Sequence, residues 1–339
     1  MMKLLPWQHS LSIIKRTTPA LRFDGSCELS AWQNEARKKL RELLGLSEMR
    51  TPETDGFVLE WARASDGYTD YRFTVTTEVG YVTPCRLRIP KGATKPVPLL
   101  IAMHGHSSGM HNSFREVEYE RDEVANGANP DRNYAIRALE EGYATLSPEM
   151  RCMGECGAKE NGQPDCYVSS MNNILCGRTT IGERVHDLSV ALTAALREFG
   201  NEISSEGIIC LGNSGGGTAT FYAACLDERI SLAASACSFC SFDDSISAMP
   251  HCLCNYIPGI RTYFDMGDLA GLIAPRKFIT FNGRADDTFP HRGVESAYAL
   301  AREYFSAAGV PDRIAMLTED VGHKFVAAPI WKKIREMTE

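Results

Sequence analysis

The chain has no stretch of about 18 consecutive apolar residues, the length a membrane-spanning helix requires, so no membrane partner is expected. It also lacks any run of lysine and arginine. With 36 basic residues against 43 acidic ones the formal net charge is −7. Without a basic field to hold a phosphate backbone, nucleic acid is excluded as an expected partner. The opening Met1-Met2-Lys3-Leu4-Leu5-Pro6-Trp7-Gln8-His9 breaks off before the apolar core of a signal peptide, which predicts a cytoplasmic protein. Internal repeats and low-complexity tracts are absent, and no linker divides the chain after residue 97. Cysteine is not scarce, at 12 residues, but it lacks the regular spacing of a disulfide framework in a short secreted chain. Buried, reduced thiols are the expectation.

What is present is a large apolar fraction, 44% of 339 residues, enough for a sizeable core. Residues 1–56 read as a small N-terminal helical extension and 57–339 as one α/β domain. In the extension, Trp32, Ala36, Leu40, Leu43 and Leu44 recur at helical spacing between Leu29 and Leu46, and Gly45 begins to end that helix. Three stretches rich in aromatic and β-branched residues follow, at 57–62, 71–77 and 82–89, and predict antiparallel edge strands.

From Val97 onward short apolar runs alternate with helical patterns, the sequence form of a mostly parallel twisted sheet with helices on both faces. The strands are expected at 98–103, 143–146, 207–211, 232–236, 277–281 and 314–317. The helices are expected at 132–141, 181–199, 293–308 and 326–337. Two stretches, 106–129 and 152–177, are too long for ordinary connections and read as loops covering a site.

The chemistry centres on Gly212-Asn213-Ser214-Gly215-Gly216-Gly217, placed between the apolar run 208–211 and the helix-like 218–226. A serine with glycine two residues away on either side, at a strand end, fits a strained turn that lifts its hydroxyl off the sheet. Ser214 is therefore the candidate nucleophile. A glycine-rich turn with Ser214 as helix N-cap would read the same locally, so the context matters, and three further stretches supply it.

His104-Gly105-His106-Ser107-Ser108-Gly109 follows the strand ending at Met103. A glycine-containing turn there can aim a backbone N–H at a developing oxyanion, so the amides of Gly215 and His106 are the expected donors. Phe281-Asn282-Gly283-Arg284-Ala285-Asp286-Asp287 places a carboxylate after another strand; Asp286 is the choice and Asp287 the competitor. Val321-Gly322-His323-Lys324-Phe325 follows the last strand and offers His323 as general base.

These motifs, HGHSSG, GNSGGG, GRADDTFP and VGHKF, together resemble the α/β-hydrolase superfamily, specifically its dienelactone hydrolase and acetyl xylan esterase-like branch. Ser147 to Glu155, Gly182 to Leu188 and His251 to Gly259 also look like stretches of that branch, and the resemblance spans roughly 97–325. It implies an α/β-hydrolase fold with Ser214 as nucleophile, Asp286 as acid, His323 as base, and Gly215 with His106 as oxyanion donors. Dienelactone hydrolases proper carry a cysteine nucleophile; Ser214 here favours ester hydrolysis.

The expected activity is cleavage of short acyl or acetyl esters of a sugar or small molecule, without a cofactor. A serine peptidase of the prolyl oligopeptidase type and a non-catalytic binding protein are the alternatives, and a homo-oligomer remains possible. Arg151 and His251 are candidates for substrate binding, although Arg151 could equally pair with Glu149, Glu155 or Asp187. Cys237, Cys240, Cys252 and Cys254 could together offer zinc four thiolates, with His251 beside them. The C-x-C spacing is not a usual knuckle, so buried thiols and no metal are expected. The acidic cluster Glu116, Glu118, Glu120, Asp122 and Glu123 reads as a solvated face.

Overall fold

The computed structural model describes residues 5–54 and 56–339. Its strands are β1 (Val58–Ala64), β2 (Tyr68–Glu78), β3 (Tyr81–Pro90), β4 (Leu99–Met103), β5 (Ala144–Pro148), β6 (Ile208–Asn213), β7 (Ile230–Ala236), β8 (Lys277–Gly283) and β9 (Ile314–Glu319). They form one sheet in the order β1-β2-β3-β5-β4-β6-β7-β8-β9. β1, β2 and β3 pair antiparallel, as does β3 with β5. Every pairing from β5 across to β9 is parallel.

The central strands are apolar on both faces because both faces are covered. Along β4, Leu99, Ile101 and Met103 join the larger core, while Leu100 and Ala102 join the smaller one on the opposite face. β6 repeats the alternation, with Ile208 and Cys210 on one side and Ile209 and Leu211 on the other. The larger core lies under helices Thr180–Phe199 and Gly215–Leu226, the smaller under Tyr134–Glu140 and Ala327–Thr338.

After β4 the chain steps back to β5 and then crosses to β6 on the other side of β4. In open α/β sheets such a reversal leaves a crevice at the carboxyl ends of the strands, where ligands bind. Here that crevice lies between the ends of β4 and β6, where Met103 pairs with Gly212.

The N-terminal segment is packed into this body. Helix Leu29–Leu43 buries Trp32, Ala36 and Leu40 in the larger core. Gln33 donates to the carbonyls of Gly271 and Ala274 at 2.7 and 2.6 Å. The helix ends at Gly45, whose φ of 71° is left-handed and whose Cβ, if present, would sit 2.3 Å from the Gly177 carbonyl oxygen.

Pro6–Arg16 lies in the segment read as helical and carries Trp7, Leu11 and Ile14 at helical spacing, yet it buries no residue. Two helices farther along the chain differ from the sequence expectation. Glu120–Ala128 and Tyr167–Leu175 form inside the stretches read as loops. The first is polar and contains Gly127, and the second leaves Val168, Met171 and Leu175 exposed, so neither shows the inward apolar stripe that marks a packed helix.

Candidate active site

Ser214 sits between β6 and helix Gly215–Leu226 with φ 55° and ψ −123°, a conformation that L-residues rarely adopt. The turn is that tight because its neighbours are glycine. A Cβ at Gly212 would lie 2.5 Å from the Gly216 backbone, and one at Gly216 would lie 2.2 Å from the Met103 carbonyl oxygen. The Ser214 hydroxyl makes no capping bond to the helix; it points instead to His323.

His323 Nε2 lies 2.9 Å from Ser214 Oγ, and His323 Nδ1 lies 2.9 Å from Asp286 Oδ2. Asp286 is buried, and its Oδ1 accepts from the amides of Thr288 and Phe289, both at 2.9 Å. Burial pushes the Asp286 carboxyl upward, but the hydrogen bond and charge of His323 and the two amides outweigh it and hold the group below its ordinary value. An ionised carboxylate only accepts, so Nδ1 carries the proton and Nε2 is left to accept from the serine. The competitor Asp287 is exposed and its contact is with the Thr288 hydroxyl. The Phe289 ring stacks on His323 with centroids 5.9 Å apart, fixing the imidazole plane.

The loop after β4 presses against this turn. A Cβ at Gly105 would lie 2.9 Å from the Asn213 carbonyl oxygen, and one at Gly215 would meet His106 Nδ1 at 2.4 Å. The His106 ring thus packs on Gly215, and the Gly105 backbone comes close to that of Asn213, only because both glycines lack side chains. Gly215 opens its helix, so its amide belongs to the first-turn N–H groups that have no partner within the helix.

The loop is anchored from beneath. His104 Nε2 lies 2.8 Å from Glu149 Oε1, both groups buried, and Glu149 accepts from the Met110 amide at 3.2 Å. Farther along, Asp122 is fully buried: it accepts from Ser108, from the amides of Glu118 and Tyr119, and contacts His111 at 2.8 Å. Glu116 pairs with Arg86 and Arg88. The acidic cluster is therefore not simply a solvated face. Two of its members fasten the loop to the body, and residue type alone does not distinguish them from their exposed neighbours.

The remaining sequence candidates are placed as follows. Arg151 is committed to Asp187, Glu183 and Glu78 at 2.7, 3.1 and 3.0 Å, so its guanidinium is occupied by structural carboxylates. His251 lies at the rim, with Nε2 3.1 Å from Ser245 Oγ and its ring against Phe289; burial first, then the charge of His323, holds it below its ordinary value. All 12 cysteines are free thiols. The four grouped by sequence do not converge. Cys237 hydrogen-bonds the Lys324 carbonyl and Cys240 contacts that of Pro290, whereas Cys252 and Cys254 meet His106 and Cys166 instead.

That last group is strongly polarised. A hydrogen bond with Cys152 pulls the Cys166 thiol down to about 4. Cys166 acts to raise Cys254, but Cys252, Arg184 and His106 hold it below its ordinary value. Burial disfavours a charged His106, yet the neighbouring Cys254 charge holds the imidazole well above its usual value. Sequence reading missed Cys166, since a single cysteine in a long loop carries no spacing signal.

No family model matches the chain. Among curated proteins it is similar to the candidate hydrolase YtaP of Bacillus subtilis, 22% identical over 298 residues, covering 85% of this chain and 93% of that one. Among solved structures it resembles a candidate acetyl xylan esterase of Bacteroides fragilis, with a TM-score of 0.83 at 17% identity over 100% of this chain and 96% of that one. A glucuronoyl esterase of Solibacter usitatus superposes with a TM-score of 0.66 at 15% identity, covering 95% and 98%. Acetyl xylan esterase 1 of a Thermoanaerobacterium species does so with 0.59 at 16%, covering 96% and 97%. The sheet order, the strained serine turn after β6 and these superpositions agree: the chain has the α/β-hydrolase fold.

Proposed function

We propose that the chain is a serine hydrolase of carboxylic esters, of the dienelactone hydrolase and acetyl xylan esterase-like branch. The observation that carries this reading is the hydrogen-bonded series Ser214, His323, Asp286, with 2.9 Å at each link. His323 Nε2 takes the Ser214 proton as Oγ attacks the ester carbonyl, and the imidazolium that forms is compensated by Asp286. The carbonyl oxygen becomes an oxyanion that accepts from the amides of Gly215 and His106. His323 then protonates the departing alcohol. Water, deprotonated by the same nitrogen, releases the acid from the acyl-serine.

The substrates are short acyl or acetyl esters of a sugar or other small molecule, by analogy with the neighbouring acetyl xylan esterases. Twelve free cysteines, several within the site, favour a reducing compartment and hence the cytoplasm. Labelling with a fluorophosphonate followed by mass spectrometry should place the adduct on Ser214. Hydrolysis of p-nitrophenyl acetate should far exceed that of a proline-containing peptide anilide. An adduct elsewhere removes the nucleophile assignment, and a reversed preference replaces the esterase with a peptidase.

A further inference from the structure

We propose that His106, Cys166, Cys252 and Cys254 form a structural binding site for a thiophilic divalent cation of the zinc class. The four donor atoms all lie within 4.8 Å of one another. His106 Nε2 is 3.1 Å from Cys254 Sγ, and Cys254 Sγ is 3.3 Å from Cys252 Sγ. In a tetrahedral zinc site, with Zn–S about 2.3 Å and Zn–N about 2.0 Å, neighbouring donors stand roughly 3.5 to 3.8 Å apart. These two separations need only a few tenths of an ångström of adjustment, and none of the others exceeds 4.8 Å. The Sγ atoms of Cys252 and Cys254 are also well beyond the roughly 2.05 Å of a disulfide.

A second observation points the same way. Arg184 is 2% exposed, and its guanidinium donates to the Arg151 carbonyl and, at 3.3 Å, to Cys166 Sγ. Among the described residues no carboxylate lies within ion-pair distance of it. A buried guanidinium needs an anion, and here the anion available is sulfur. Three thiolates around a dication carry a net charge of −1, which Arg184 neutralises.

Four protein donors close the coordination sphere, so the ion has no open position and acts structurally. It ties three segments distant in sequence: the loop after β4, the chain entering helix Tyr167–Leu175, and the turn at 252–254. His106 joins this site to the Ser214 turn. Its ring would bind the metal through Nε2 while Nδ1 lies against Gly215, so the ion would fix the residue proposed to supply one oxyanion donor.

The test uses the full chain and does not depend on ester hydrolysis. Protein purified under reducing conditions should contain about one zinc per chain by elemental analysis. Chain stripped with a strong chelator should take up Co(II) stoichiometrically, giving thiolate-to-cobalt charge transfer and the intense visible bands of a tetrahedral centre. Cys166→Ser and Cys254→Ser should lower metal content at least tenfold, while Cys240→Ser, whose thiol lies outside the group, should retain it. Should the Cys166 and Cys254 variants fail to fold, the cobalt titration of the unaltered chain still decides. Zinc-free protein that binds neither ion, or a cobalt spectrum without thiolate charge transfer, would overturn the proposal.

Discussion

The strained serine can be interrogated by stability rather than by rate. At φ 55° and ψ −123° Ser214 occupies a region in which a Cβ is crowded by its own backbone, a cost on the order of 1–3 kcal/mol for a non-glycine residue. Ser214→Ala keeps that Cβ and removes only the hydroxyl; Ser214→Gly removes both. Both variants lose the bond to His323 equally, and no helix-capping bond is lost in either because the side chain makes none. Their difference isolates the strain. Against it stands the greater freedom of glycine in the unfolded chain, about 0.4–1 kcal/mol. Ser214→Gly should therefore be more stable than Ser214→Ala by about 1 kcal/mol, or roughly 2 °C in thermal midpoint for a chain of this size. Differential scanning calorimetry at one scan rate and matched urea titrations measure it. Both variants should lose at least about 1000-fold in ester kcat, since members of such a relay act as a unit. If the alanine variant proves as stable as the glycine variant, the turn stores no strain and its geometry needs another explanation.

Further outcomes are expected at three places. Asp286→Asn should lower kcat about 1000-fold or more, because its amide favours the wrong imidazole tautomer, whereas Asp287→Asn at the exposed neighbour should change kcat by less than about threefold; steady-state kinetics of both decide. Asp286 and Asp122 sit below their ordinary value of 3.8 in the folded chain, so the stability they confer is present above that value and is lost as pH falls through the lower folded values. Urea midpoints should drop in that acid window, and Asp122→Asn should drop less steeply; parallel curves would contradict the assignment. Gly105→Ala puts a Cβ 2.9 Å from the Asn213 carbonyl oxygen against an ordinary contact of 3.4 Å, a displacement of about 0.5 Å between loop and serine turn. Since about 1 Å of misplacement can cost about 100-fold, kcat should fall roughly tenfold with KM little changed, and an unchanged kcat would detach the loop from the chemistry.

The sheet was legible because both of its faces are covered: strands such as 99–103 and 208–213 are nearly all apolar, and glycine or a polar turn ends each of them. The Ser214, Asp286 and His323 positions were legible for a related reason. Each follows the carboxyl end of a parallel strand, and the fold itself aligns those ends, so order along the chain stands in for proximity. What the chain did not disclose depends on contacts with no local pattern. Asp122 looks like its exposed neighbours until the fold buries it. His106 and Cys254 are 148 residues apart, and neither spacing nor periodicity links them. Grouping cysteines by nearness in sequence joined Cys237 and Cys240 to the wrong pair, because the strand β7 ahead of them ends on the Asp286 side of the site.

These hidden contacts converge on one loop. Between Met103 and Phe114 the chain makes a long excursion whose only regular element is a short 3-10 turn at Met110–Phe114, and it carries the His106 ring against Gly215 beside the Ser214 turn. Its apolar anchors Met110 and Phe114 and its backbone-bonded turn lie at the far end, beyond His106. Around it, Glu149 meets His104, Asp122 meets Ser108 and His111, and the thiol group receives His106. Buried polar pairs of this kind add little net stability, because desolvation offsets most of the attraction. Breaking one is costly all the same, about 3–5 kcal/mol, since the partner is left uncompensated. That asymmetry suits the role proposed for the loop, keeping one amide in place: the contacts penalise departure from the geometry far more than they deepen the folded state. The oxyanion donor proposed at His106, held in this way, would need no reorganisation when negative charge develops, which is where electrostatic catalysis of acyl transfer derives its advantage over water.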